Sequence, residues 1–287
     1  MKTLKESKVA IVGLGLMGGS LAGALRGKCR AVVGIARRKE TVEQALSDGL
    51  IDLGTTDMEP AVGSADIVVL ATPVRAIIEL VNDLGPLLQD DALLIDLGST
   101  KSDITRAMAD LPPHVQPLGA HPMCGKELSG ISAADPGLYE GRTFILVPLP
   151  RTSLQAIETG RDLARAIGAL PLILDDPHRH DFLVATLSHL PYLLACSLVA
   201  AADATTSQDE AAWEIVAGGY RDTSRVAASD VDMMVDIIMT NRQEILEALA
   251  EYSSHLDQLT QLIRTADERG LRMKLSYARE KRMEMFP

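Results

Sequence analysis

Aromatic side chains are scarce in this chain: one Trp, five Tyr and three Phe among 287 residues. With 47% apolar residues, the core must be built from aliphatic side chains. No row of aromatic platforms is present for single-stranded nucleic acid to stack on. Positive charge is also short, with 28 Lys and Arg against 39 Asp and Glu. The resulting net charge of −11 repels a phosphate backbone, so nucleic acid is not an expected partner. Cysteine is limited to Cys29, Cys124 and Cys196, which lie far apart with no Cys-x-x-Cys pair. That argues against a disulfide framework and fits a reducing, cytoplasmic setting. No uninterrupted apolar run reaches the roughly 20 residues of a membrane span, so no membrane partner is expected. Lysines ahead of the apolar run from Val9 to Met17 imitate a secretion signal, but glycines punctuate that run and no clean cleavage pattern follows.

What is present is a regular alternation. Apolar, strand-like runs cover Val9 to Val12, Ala31 to Ala36, Ile67 to Ala71, Ala92 to Asp96, Val115 to Ala120, Thr143 to Val147 and Leu170 to Leu174. Helix-length segments separate them, which is the pattern of β-α-β units in a parallel sheet covered on both faces. The expectation is an α/β, doubly wound domain over residues 1–174, with its ligand site at the carboxyl ends of the strands. From about Pro177 the apolar period becomes 3 to 4, so residues 175–287 read as helical. One stripe runs from Met234 through Asn241 and Leu249 to Ile263. It predicts a single helix from Ser229, as N-cap, to about Ala266, with Gly270 as its stop. At ~1.5 Å per residue such a helix spans roughly 50 Å, and we read it as a subunit-pairing element of a homodimer; the plainer alternative is a long helix packed only within its own chain.

Gly13, Gly15 and Gly18 follow the first strand in the G-x-G-x-x-G spacing. The first allows a tight turn, the second a close approach of pyrophosphate, and the third close packing of the following helix. Leu16, Met17 and Gly18 open that helix, whose free N–H groups attract phosphate. At the end of the second strand, Ala36 stands where an acid would bind the ribose 2′-OH of NAD, and Arg37, Arg38 and Lys39 follow. This fork of charge favours NADP, with NAD still possible. The plainer alternative is a solvated basic start to the next helix.

Thr72 and Pro73 end a strand where a nicotinamide would pass, and Pro73 fixes the turn. Ser99 and His121 follow neighbouring strands, so both face the cofactor crevice. A histidine there can take a proton near neutral pH, and a serine hydroxyl can orient it. In the helical half, Ser188, His189 and Tyr192 share one side of a helix that Pro191 must kink. Arg221 and Arg225 stand four residues apart after a glycine pair, and in so acidic a chain they are candidates to hold a carboxylate. Surface ion pairs with Asp222 or Asp230 are the alternative reading.

Four motifs in order, V-G-L-G-L-M-G-G-S-L, H-P-M-x-G, S-H-L-P and G-x-R-D-T-S-R, resemble the prephenate/arogenate dehydrogenases of tyrosine biosynthesis along nearly the whole chain. The resemblance implies a Rossmann domain followed by an all-α dimerisation domain. It also implies oxidation of a 4-hydroxycyclohexadiene: His121 would take the hydroxyl proton, Ser99 would orient it, and Arg225 would hold a side-chain carboxylate. Two departures stand out. Tyr192 replaces the second histidine of S-H-L-P-H found in many members, and Lys126 replaces a small residue after H-P-M-x-G. Lys126 either supplies a replacement positive charge for the ring carboxylate or simply faces solvent. Two other readings compete, a related 3-hydroxy-acid dehydrogenase and a non-catalytic NADP-binding sensor. The first generally needs a lysine base on the helical domain, and none stands between Pro177 and Arg272.

Overall fold

The computed structural model describes residues 1–286. Its strands are β1 (Lys8–Val12), β2 (Ala31–Ile35), β3 (Leu53–Thr55), β4 (Ile67–Leu70), β5 (Leu93–Asp96), β6 (Gln116–Pro122), β7 (Thr143–Pro148) and β8 (Leu170–Ile173). They form one sheet in the order β3-β2-β1-β4-β5-β6-β7-β8. The apolar runs are continuous because successive residues enter two different cores. Val9, Ile11, Val69 and Ile95 pack in one, while Ala10, Val12, Val68 and Leu94 pack in the other. Helices α1 (Leu16–Leu25), α2 (Lys39–Ser47), α3 (Met58–Gly63), α4 (Val74–Leu84), α5 (Ser102–Ala109) and α6 (Leu154–Ala166) connect the strands.

Two features depart from the sequence-based expectation. A further strand, β3, consists of only Leu-Gly-Thr, too short to register as a β-branched run. The sheet is also not wholly parallel, since β7 runs antiparallel to β6. A parallel return needs a crossover element. Residues 123–142 hold only the short turn Ile131–Ala133, so the chain comes straight back.

After β8 the chain is helical: α7 (Pro177–Val184), a π turn (Ala185–His189), α8 (Leu190–Thr206), α9 (Gly218–Ser224), α10 (Val231–Thr240), α11 (Arg242–Arg264) and α12 (Glu268–Met285). The expected kink before Pro191 takes the form of that wide π turn, which relieves the clash of the proline ring with the preceding turn. By length and composition alone Pro177–Thr206 would suffice to cross a membrane. It nevertheless carries His180, Asp181 and His189, all buried within the fold.

The single long helix is corrected to two. Asn241, at φ −127° and ψ 30°, leaves the helical region between α10 and α11. Asp230 rather than Ser229 caps α10, accepting from Met233 N at 2.9 Å. Ala266, at φ +50°, ends the helical run, and Gly270 lies inside α12. A Cβ on Gly270 would stand 2.6 Å from Leu262 Cδ2, so this glycine serves the packing of α12 on α11. By compactness the described chain divides into residues 1–241 and 242–286. By this measure α7 to α10 belong to the same compact body as the sheet.

Candidate active site

The glycine turn follows β1, at the point where the sheet's strand order reverses. Gly13 has φ +101°, and a Cβ there would lie 2.6 Å from the Ala71 carbonyl oxygen. A Cβ on Gly18 would lie 1.8 Å from the Gly13 carbonyl oxygen, whereas one on Gly15 would meet nothing within 4 Å. Gly13 and Gly18 are therefore required by packing, and Gly15 borders open space. No side chain caps α1 at Gly15, so its first-turn N–H groups, at Leu16, Met17 and Gly18, are left for a ligand. Thr72 Oγ1 is buried without a hydrogen-bond partner, and its methyl carbon lies 2.9 Å from the position of a Gly13 Cβ. An orphaned hydroxyl beside an uncapped helix fits a dinucleotide. Pro73 is exposed at the start of α4. Ala36 N donates to Thr55 O at 3.3 Å. Arg37 and Arg38 are exposed and free of ion pairs among the described residues, while Lys39 is engaged by Glu43 at 3.1 Å.

Two strands away, β5 and β6 carry the charged interior. Asp96 ends β5 and accepts from Gly98 N at 2.7 Å, Ala120 N at 3.1 Å and the buried Lys101 ammonium. Burial raises the Asp96 carboxyl and lowers the Lys101 ammonium, and each opposes the other's shift. This pair ties the end of β5 to β6, which bears His121. Only 9% of His121 is exposed. Its Nδ1 lies 2.9 Å from His180 Nε2, and His180 Nδ1 lies 2.8 Å from Asp181 Oδ1. Asp181 reaches from α7 to close the N-terminus of α5, accepting from Lys101 N at 2.7 Å and Ser102 N at 2.8 Å. Burial on its own would raise the Asp181 carboxyl, but these donors and His180 outweigh it and hold it below its usual value.

Burial, with His180, Lys101 and His189 nearby, pushes His121 well below the usual histidine range. His180 is lowered by burial against the pull of Asp181. His189 is 2% exposed and is pushed down to about 4, chiefly by burial. Asn241 Nδ2 donates to the Asp181 carbonyl at 2.8 Å and lies 3.2 Å from His189 Nδ1. The break that splits the long helix thus delivers an amide to this cluster.

The remaining candidates lie at the rim. Ser99 is half-buried, and the group on His121 Nδ1 is His180 rather than Ser99. Ser188 is exposed and Tyr192 half-buried, with burial and the Cys196 thiol raising the Tyr192 hydroxyl. Lys126 pairs with Asp135 at 2.8 Å. Arg225 pairs with Glu127, not with Asp222 or Asp230, and Arg221 is exposed and makes no ion pair among the described residues. Sequence reasoning missed His180, Asp181, Asp96, Lys101 and Asn241. The one local signal was the run of polar residues H-R-H-D inside an otherwise apolar helical stretch.

A phosphate-ready glycine turn at the reversal point of an α/β sheet, with a neutral buried histidine three strands further on, defines a nicotinamide-dependent dehydrogenase. The chain belongs to the prephenate dehydrogenase family. The model of its nucleotide-binding domain matches residues 21–171 and that of its dimerization domain residues 176–277. Prephenate dehydrogenase from Bacillus subtilis (strain 168) is 31% identical over 275 residues, covering 94% of this chain and 74% of that protein. Prephenate dehydrogenase from Aquifex aeolicus, solved with hydroxyphenyl propionate and NAD+, superimposes with a TM-score of 0.88 at 31% identity, covering 99% of this chain and 100% of that one. Synechocystis arogenate dehydrogenase gives a TM-score of 0.84 at 29% identity, covering 97% and 99%.

Proposed function

We propose that this chain oxidatively decarboxylates a 4-hydroxycyclohexadienyl acid, prephenate or arogenate, with NADP as the preferred hydride acceptor. The observation that carries the reading is His121, held neutral by burial at the carboxyl end of β6. A neutral imidazole can accept the substrate hydroxyl proton, which a histidine already protonated cannot. The nicotinamide, when bound, supplies the acceptor for the hydride leaving the ring carbon. Leu16, Met17 and Gly18 would hold the pyrophosphate through their N–H groups, and the Thr72 hydroxyl would gain the partner it lacks. Arg37 and Arg38 would hold the 2′-phosphate, supported by their freedom from other ion pairs and by the absence of an acid at Ala36.

At the other end of the substrate, Arg225 takes a carboxylate, for which an incoming acid competes with Glu127. Ser99, whose hydroxyl is free of His121, contacts the reacting hydroxyl; Ser188, His189, Tyr192 and Lys126 bound the ring and its carboxylate. Loss of CO2 aromatises the ring and makes the step irreversible, so the protein has mainly to orient, accept a proton and place charges. The dimerization-domain match supports a homodimer through residues 176–277.

The test is steady-state absorbance at the reduced-nicotinamide band with each of the two acids against NAD and NADP. Reduction with either acid, faster with NADP, is the expected result. No reduction with either acid would overturn the reaction and leave only nucleotide binding.

A further inference from the structure

The deepest polar feature of the molecule is a chain of three side chains running inward from the candidate base: His121, His180 and Asp181. His180 is 0% exposed, and Asp181 is 1% exposed. We propose that His180 and Asp181 are positioning residues that fix the tautomer of His121, so that Nε2 is the atom that receives the substrate proton. The proposal rests on the oxidative decarboxylation read above for the identity of that proton.

Donor and acceptor capacity fixes where the protons lie. Asp181 is a carboxylate and can only accept; the N–H groups of Lys101 and Ser102 already point at it. The group 2.8 Å away on His180 Nδ1 must therefore be an N–H. A neutral His180 with its proton on Nδ1 has a lone pair on Nε2. Across 2.9 Å that lone pair requires the proton of His121 on Nδ1. The lone pair of His121 is thereby left on Nε2, which makes no hydrogen bond among the described residues. Reversing any one of these assignments sets two donors or two acceptors against each other in a dry interior, where a mispaired polar group is costly. Asn241, donating to the Asp181 carbonyl, and the Lys101–Asp96 pair hold the far end in place.

The proton account explains why the relay ends on a carboxylate and does not lead to solvent. As the substrate O–H bond breaks, the Nε2–H bond of His121 forms, the oxygen's electron pair makes the ring carbonyl, and the hydride on that carbon leaves for the nicotinamide that would be bound beside it. When the bond to the departing carboxylate breaks, its electron pair enters the ring and the oxygen becomes that of a phenol. That oxygen recovers the proton from Nε2. No proton is exported, so the relay has only to aim the imidazole and stabilise its transient positive charge. The groups facing His121 during that moment are His180, Lys101 and His189, with Asp181 behind them.

The experiment combines spectroscopy with kinetics. In protein labelled with 15N-histidine, long-range 1H–15N correlations read which ring nitrogen bears the proton. His121 and His180 are both expected as neutral Nδ1–H tautomers. His180→Phe should lower kcat by roughly 10²-fold or more, up to the full general-base contribution, while KM and the Kd for cofactor stay within about twofold of their original values. His180→Gln can accept from His121 and donate to Asp181, and should recover most of the loss and the original pH profile. His121 with its proton on Nε2, or an unchanged kcat in His180→Phe, would overturn the proposal. If His180→Phe fails to fold, the spectrum of the unaltered protein still decides. The expected tautomers in a protein that turns over neither acid would keep the relay and remove the reaction it was assigned to.

Discussion

The two ends of the site are built on opposite principles. Around His121, seven polar side chains from β5, β6, α5, α7, the π turn and the end of α10 are buried together, and nearly every donor has an acceptor. At the rim, Arg37, Arg38, Arg221, Arg225 and Lys126 stand exposed, and those that are paired hold partners that are themselves accessible. The interior set is mutually dependent, because removing one member leaves another unpaired where water cannot reach it. The rim set is screened and independent, and its members can exchange a protein partner for a ligand at small cost.

The largest effect should follow from His121→Asn. Turnover should fall by roughly 10²–10⁴-fold with cofactor affinity nearly intact, as read by kcat and by cofactor titration; a parallel loss of cofactor affinity would break the separation of chemistry from binding. Next is Lys101→Met, which strands the Asp96 carboxylate. Urea unfolding should show a loss of about 3–5 kcal/mol, with part of it restored in the Asp96→Asn/Lys101→Met double variant, since both residues are fully buried. The third concerns acid. The unfolded chain protonates His189 near its usual 6.5, the folded chain only at about 4. Its contribution to stability is therefore full above pH 6.5 and is lost as pH falls toward 4, by about 3 kcal/mol at most. A shallower slope in His189→Gln would confirm the source.

Two rim variants should be milder. Arg225→Ala should raise the substrate KM by roughly 10- to 150-fold, a loss of about 1.5–3 kcal/mol, with kcat largely kept. A fall in kcat at constant KM would move the carboxylate to Arg221 or Lys126. Replacing Arg37 or Arg38 by Ala should raise the KM for NADP by up to roughly fivefold each, in keeping with exposed charges worth about 1 kcal/mol or less. Equal effects on NAD would refute the 2′-phosphate role.

Which parts were legible in the sequence follows the same division. The glycine turn, the strand runs, His121 and the rim arginines show themselves locally, through spacing or through a charge standing where charge is rare. The interior partners do not. Asp181 reads as one more helical residue, yet it caps a different helix 80 positions earlier in the chain. Asn241 sits in phase with an apolar stripe, which hid both the helix break and its amide contacts. Lys101 reads as a basic residue at a helix start, and only the folded chain shows it enclosed with Asp96. The antiparallel β7 was hidden for another reason, because apolar runs report coverage of a strand and not its direction.

The capping of α5 by Asp181 makes the candidate catalytic constellation observable in protein that carries no ligand. The amide protons of Lys101 and Ser102 are held by the same carboxylate that sets His180. Their solvent exchange therefore measures how often α7 lifts from α5, and each lifting releases the imidazole chain as well. Two backbone amides thus keep time for the candidate base, and they would slow together in any variant that grips it more firmly.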